Sequence, residues 1–139
     1  MRLSMLEQLY QAAENENVEI VPRAMNENES FIIDINSHHF IAVSKGIESQ
    51  AKLITLLAHE LGHYYTGYLY SADSPLQIRG RCEYRADAWA YKAMCPPERI
   101  RRAIKNSGGD LWEIAEELGL PEDFVAAAIE YYKGRGVII

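Results

Sequence analysis

His59-Glu60-Leu61-Gly62-His63 limits what this chain can be more than any other stretch of it. It reads H-E-x-x-H, and that spacing has a mechanical meaning on a helix. Residues i and i+4 lie one above the other on a helical face, so both imidazoles can reach one cation. Glu60 follows the first histidine directly. Its carboxylate then stands beside the metal rather than on it, where it can take a proton from bound water. This is the pattern of a zinc-dependent hydrolase.

With 4 His in 139 residues, random placement produces the motif in roughly one such sequence in a hundred, so its surroundings must carry part of the inference. Residues 49–70 contain no Pro. Ile54, Leu57, Ala58, Leu61, Tyr65 and Tyr68 repeat at helical spacing as a core-facing stripe, and Thr55, His59, Glu60 and His63 fall on the adjoining face. The bland alternative is a buried helix with two incidental histidines. It carries little weight, because two stacked imidazoles and a buried carboxylate are costly without a metal to satisfy them.

A catalytic zinc usually takes three protein ligands and keeps a fourth position for water. The best candidate for the third ligand lies in Arg81-Cys82-Glu83-Tyr84-Arg85-Ala86-Asp87-Ala88-Trp89-Ala90. This segment also reads as a helix. Cys82, Ala86, Trp89, Ala90 and Ala93 form its apolar stripe, with Glu83 and Asp87 one turn apart along the border. Glu83 stands 20 positions after His63, and a helix–loop–helix of that length can lay one carboxylate against the metal. Asp87 can accept a hydrogen bond from the other ring nitrogen of a ligand histidine, which fixes its tautomer and raises its basicity. An ordinary solvated acidic edge is the competing reading of this pair. Cys82, the rival ligand, points about 100° away from Glu83 round the helix and reads as a core residue.

H-E-L-G-H followed by E-x-x-A-D-x-x-A resembles the ImmA/IrrE family of metallopeptidases, small proteins of bacteria, phages and mobile elements. The E-x-x-x-D element is also similar to that of thermolysin-like zincins, in which a glutamate is the third ligand and the aspartate supports a histidine. The likeness is tight within residues 52–94 and looser outside them. It implies an α+β, zincin-like fold: a small antiparallel or mixed sheet packed on a metal-binding helix, with a mainly helical C-terminal half. It also implies Zn2+ held by His59, His63 and Glu83, with Glu60 as the catalytic glutamate. Cleavage of a regulatory protein, often a phage-type repressor, is the activity the resemblance suggests. That step is analogy, which fold physics cannot supply.

The length of 139 residues fits one domain, 1–139, with a real core. Apolar content of 48% and charged content of 24% are those of an ordinary globular protein. No apolar run reaches membrane-spanning length, and the amphipathic N-terminus does not read as a signal peptide. Cys82 and Cys95 are the two cysteines; they form no C-x-x-C pair, and a reduced cytoplasm is the expected home. The net charge of −6 argues against general nucleic-acid binding.

Along the chain, residues 3–15 are expected to form an amphipathic helix with Leu6, Leu9, Tyr10 and Ala13 inward. Val18–Val21 suggests a strand, and 24–30 a polar turn region. Phe31–Ile35 and Phe40–Val43 read as strands of a hairpin joined by Asn36-Ser37-His38-His39. Helices are expected over 49–70 and 79–94. Pro97 starts another to about Asn106, which Ser107-Gly108-Gly109 ends, and Asp110 with Glu113 makes a capping box for the next. Residues 110–132 match the pattern of a helix-turn-helix packed on the domain. Its second helix, 121–132, carries Glu122, Asp123 and Glu130 and no Lys or Arg, so direct DNA reading is disfavoured against packing or partner docking.

Phe40–Val43 could add an extended peptide as a further strand beside the metal, or could merely back the metal helix. His38 and His39 are expected to be solvated at a hairpin tip. One of Tyr64, Tyr65, Tyr68, Tyr70, Tyr84 and Tyr91 could donate to an oxyanion, most of them being packing residues. The mechanism expected is metal-assisted hydrolysis of a protein or peptide. Glu60 takes a proton from the zinc-activated water and passes it to the leaving amine. The competing reading is a non-catalytic, zinc-containing regulatory protein that docks a repressor or antitoxin partner. A closed site with four protein ligands would favour it.

Overall fold

The fold is taken from a computed structural model, which describes residues 2–25, 29–47, 49–67 and 73–139. A capping box opens it. The Ser4 hydroxyl accepts from the Glu7 N–H at 3.1 Å and the Glu7 carboxylate accepts from the Ser4 N–H at 2.9 Å, which fixes the start of α1 (Met5–Asn15). Of its expected apolar face, Leu9 and Ala13 are buried, Leu6 is half-buried and Tyr10 is exposed. Asn17 takes a positive φ of 57° and turns the chain into β1 (Val18–Arg23).

Two more strands complete a mixed sheet, β2 (Ser30–Ile35) and β3 (His38–Ser44). β1 pairs with β3 in parallel and β2 pairs with β3 antiparallel, giving the order β1-β3-β2. The β2–β3 turn is shorter than expected. Asn36 and Ser37 both have positive φ, 52° and 68°, the conformation a two-residue hairpin turn needs to match strand twist. His38 and His39 therefore belong to β3 and not to a loop tip. β3 is also the central strand, with Ile41, Ala42, Val43 and Ser44 buried. The expectation that Phe40–Val43 could take a peptide by strand addition is thereby corrected, because both of its edges are already paired. Pro22 sits on β1, an edge strand of this sheet, where its missing N–H is tolerated.

α2 (Gln50–Thr66) packs on β2, β3 and α1. Ser49 caps it, accepting from the Lys52 N–H at 3.2 Å, and Gly67 closes it in the left-handed conformation at φ 70°. The helix thus stops at Thr66; Tyr68 and Tyr70, placed in it by the sequence, lie outside the described residues. Ile54, Leu57, Ala58 and Leu61 are buried as expected, whereas Tyr65 is 41% exposed. α3 (Leu76–Met94) begins a turn earlier than its apolar stripe suggested. Its buried stripe is Cys82, Ala86, Ala90 and Met94, with Trp89 half-buried and Ala93 exposed.

α4 (Pro97–Asn106), α5 (Leu111–Leu118) and α6 (Glu122–Gly134) complete the helical half. The Glu113 carboxylate accepts from the N–H groups of Gly108 (3.1 Å) and Asp110 (3.4 Å) at the head of α5, and Gly119, at φ 71°, turns the chain toward α6. α5 packs on both α4 and α6, and α6 also reaches α3. One core runs through these layers, with Ile41, Leu57, Leu61, Ile100 and Val125 among its fully buried side chains. The architecture is α+β: a three-stranded mixed sheet on the long helix α2, with helices making up the rest. Among the described residues, no helix is long and apolar enough to cross a membrane.

Candidate metal centre

The site lies at a close approach of α2 and α3. A Cβ placed on Gly62 would stand 2.5 Å from the Ala86 carbonyl oxygen and 2.9 Å from its Cα, so only glycine lets the two backbones meet this way. Gly62 sits between His59 and His63 on α2; Ala86 sits between Glu83 and Asp87 on α3. The contact therefore brings the polar borders of the two helices together.

The rings of His59 and His63, one turn apart, meet edge to face, with centroids 4.8 Å apart and planes at 87°. Both Nε2 atoms face the same carboxylate. Glu83 Oε2 is 2.8 Å from His59 Nε2, and Glu83 Oε1 is 3.3 Å from His63 Nε2. One ligand atom from each of the three residues lies within 4.8 Å of the others, close enough to hold a metal ion. Two imidazole nitrogens and one carboxylate oxygen are a donor set that suits a divalent transition metal. His63 is buried, while His59 and Glu83 keep partial access to solvent.

Asp87 completes the arrangement from behind. Its Oδ1 is 2.8 Å from His59 Nδ1, a contact that would hold the proton on Nδ1 and leave Nε2 as the donor atom to a bound metal. Burial alone would lower the His59 pKa. The hydrogen bond to Asp87 and the negative charges of Glu60, Asp87 and Glu83 outweigh it and hold the ring above its ordinary value.

Glu60 is buried but stands outside the donor triangle. Its Oε2 accepts a hydrogen bond of 2.7 Å from the Ser30 hydroxyl on β2. Burial raises the Glu60 pKa above the usual carboxylate range, and the Ser30 bond and the neighbouring histidines offset only part of that rise. A carboxylate held beside the donor cluster in this way is placed to accept a proton.

Taken together, the fold and this cluster fit one family, and the sequence matches Peptidase_M78, the IrrE N-terminal-like domain, over residues 13–130. The chain belongs to that family. The match runs from the end of α1 into α6 and includes every residue of the cluster. No individual curated protein matches the chain. Membership makes this a chain of a metallopeptidase family with a His–His–Glu group that can hold a metal ion.

The structure brings together the five residues singled out in the sequence, and it places the rivals elsewhere. Cys82 is 2% exposed on the core side of α3, and the cluster holds no cysteine. His39 lies edge-on to Tyr64 at 5.0 Å and 3.9 Å from Asp34. The Tyr64 hydroxyl donates to Glu16 at 3.0 Å, and Tyr65 stacks on Trp89 at 5.0 Å. Two contributors escaped sequence reasoning. Ser30 is 30 positions from Glu60, and no local pattern ties them. Gly62 did carry a signal: a mid-helix glycine costs about 1 kcal/mol against alanine, which points to a close contact that needs it.

Proposed function

We propose that this IrrE-like domain is a zinc-dependent endopeptidase that hydrolyses a peptide bond in a regulatory protein, such as a phage-type repressor, in the cytoplasm. The observation that carries the reading is the division of labour among four side chains. His59, His63 and Glu83 converge on one point, while Glu60, from the same turn of α2, is held to one side by Ser30. A purely structural metal site has no use for that second carboxylate. Among the described residues, no fourth ligand side chain joins the group, which favours an open, hydrolytic site over a closed, structural one.

In this reading His59, His63 and Glu83 are the zinc ligands, and Asp87 orients His59. Bound zinc supplies Lewis-acid polarisation of a water molecule and of the scissile carbonyl. Glu60 accepts a proton from the attacking water as the carbonyl carbon becomes tetrahedral, and then delivers it to the departing amine as the C–N bond breaks. Ser30 fixes the carboxylate for the first transfer.

β2 suits the approach of an extended substrate. It is an edge strand, it packs on α2, and its first residue touches Glu60. It also presents Phe31, Ile33 and Ile35 to solvent at 44%, 39% and 51% exposure. Exposed apolar edge strands are a liability that proteins avoid unless something binds there, and strand addition along β2 would carry a peptide past Glu60.

The test incubates the metal-loaded protein with a phage-type repressor, chosen from a neighbouring gene where one is found, with and without a chelator. Glu60→Gln is expected to keep the metal and lose cleavage, and His59→Ala to lose both. Cleavage undiminished in Glu60→Gln removes Glu60 from its role. Binding of the repressor with no cleavage by the metal-loaded wild type would instead support a non-catalytic docking protein.

A further inference from the structure

Away from the metal centre, Arg81, Arg85, Ala88 and Lys92 repeat along one face of α3, roughly 160–180° round the helix from Glu83 in the case of the three cations. They line a cavity of about 930 Å³ between α3 and the end of α6, into which Arg135 also enters. Tyr84, Trp89 and Tyr131 line it as well. In a chain whose acidic residues outnumber its basic ones by 20 to 14, this concavity gathers four cations, and among the described residues no carboxylate lines it.

Aromatic rings hold part of this charge in place. Lys92 Nζ lies 5.9 Å from the centroid of the Tyr131 ring, and the Arg135 guanidinium carbon lies 5.4 Å from the same centroid. Arg135 also reaches the Tyr84 hydroxyl at 3.5 Å. A ring positions a cation without neutralising it, so the positive field stays directed into the cavity. On α4, Arg99 and Arg101 donate to backbone carbonyls at 2.8 and 2.6 Å.

We infer that this cavity binds a small phosphorylated ligand with an aromatic ring, of the nucleotide class. Each feature of the site answers one part of such a molecule. Arginine forks pair with phosphate oxygens in a bidentate manner. Tyr84, which is exposed, and the Trp89 indole, which keeps one of its faces on Tyr65, offer rings to a flat base, whereas Tyr131 already sits against Lys92 and Arg135. The volume is that of a small-molecule site. A long polyanion would need a basic track running on from the cavity, and α6 instead starts with Glu122 and Asp123. The site stands on the far side of α3 from Glu83 and does not depend on the metal reading.

The test uses adenosine 5′-monophosphate and the full chain. Of the two tryptophans, Trp112 lies on the exposed side of α5. Trp112→Phe leaves the fluorescence of Trp89 as the reporter. Saturable quenching by adenosine monophosphate is expected, with inorganic phosphate and adenosine each binding at least about tenfold more weakly, and with the affinity falling as salt rises. Arg81→Ala and Lys92→Ala are each expected to cost about tenfold in affinity with unchanged thermal melts. Arg101→Ala and Glu60→Gln should bind as the parent does. Absence of saturable binding by adenosine monophosphate overturns the inference. So does an oligodeoxythymidylate that binds far more tightly than the mononucleotide, since the cavity would then belong to a strand-binding surface.

Discussion

Gly62→Ala tests whether the closeness of α2 and α3 is what assembles the site. The added methyl would meet three backbone atoms of Ala86 at 2.5, 2.9 and 3.1 Å. None of them can swing away as a side chain would. To restore an ordinary contact of 3.4 Å to the carbonyl oxygen, the helices must part by about 0.9 Å there. Overpacking of this kind costs about 1–3 kcal/mol, offset by up to about 1 kcal/mol from the better helix propensity of alanine. A net cost of about 1–2 kcal/mol should lower the melting temperature of a chain of this size by about 3–8 °C. The site should suffer more than the fold. Glu83 and Asp87 ride on α3, and metal coordination tolerates only about 0.2 Å of error, so metal affinity should drop by at least about 10–100-fold. The assay is competition for zinc against a coloured chelator, with circular dichroism melts in parallel. Gly134→Ala, at the end of α6 where an added Cβ meets nothing within 4 Å, serves as the control and should be neutral or slightly stabilising. A Gly62→Ala protein that keeps parental metal affinity would refute the reasoning, because the helix spacing would then not govern the donor set.

Asp87→Ala should leave the three donor residues in place but free the His59 ring to rotate, lowering metal affinity by about 10–100-fold in the same competition assay. Alkaline stability gives an independent check of the core. Burial pushes the Cys95 thiol from 9.0 up to about 12, Arg99 offsetting only part of the rise, and burial likewise pushes the Tyr91 hydroxyl up to about 12. Both groups stay protonated more readily in the folded state than in the unfolded one. Their contribution is therefore fully present below about pH 9 and is lost progressively as pH rises toward 12. Urea titrations across that range should show falling stability, with a shallower fall in Cys95→Ala.

Periodicity and capping made most of the helical half legible. The stripe of Ile54, Leu57, Ala58 and Leu61, the Pro97 start and the turn at Gly119 all act locally, so the sequence shows them directly. The start of α3 carries no capping signal, because Pro75 at its N-cap makes no side-chain hydrogen bond, and its first apolar residues, Leu76 and Ile78, are exposed at 75% and 47%. Sheet order was illegible for a different reason. A period of two says which face a side chain takes, not which strand lies alongside, so the central place of β3 had no local trace. The turn at Asn36-Ser37 was misjudged because Ser37 adopts a positive φ that its residue type rarely takes. At the site, spacing revealed the pair on α2 and the pair on α3. The Ser30–Glu60 bond joins elements that only the tertiary fold brings together.

The positions within the two motifs explain why so few residues suffice. Gly62 comes three residues after His59 and one before His63; Ala86 comes three after Glu83 and one before Asp87. The backbones touch at those two small residues, so each helix offers one functional side chain a turn before the contact and another just beyond it. That one contact brings three donors to one point and sets Asp87 behind His59. The same logic sets the tolerance. A slip of one residue on α3 rotates its face by about 100°, replacing Glu83 with Cys82 or Tyr84 and taking the second carboxylate from His59. Register is held by the buried stripe of Cys82, Ala86, Ala90 and Met94, which would be turned out of the core by that slip. The packing that stabilises the domain and the geometry that gathers its donors are thus one constraint. The concentration of Glu60, Glu83 and Asp87 about two imidazoles is the electrostatic result, a site in which a divalent cation relieves repulsion among the carboxylates.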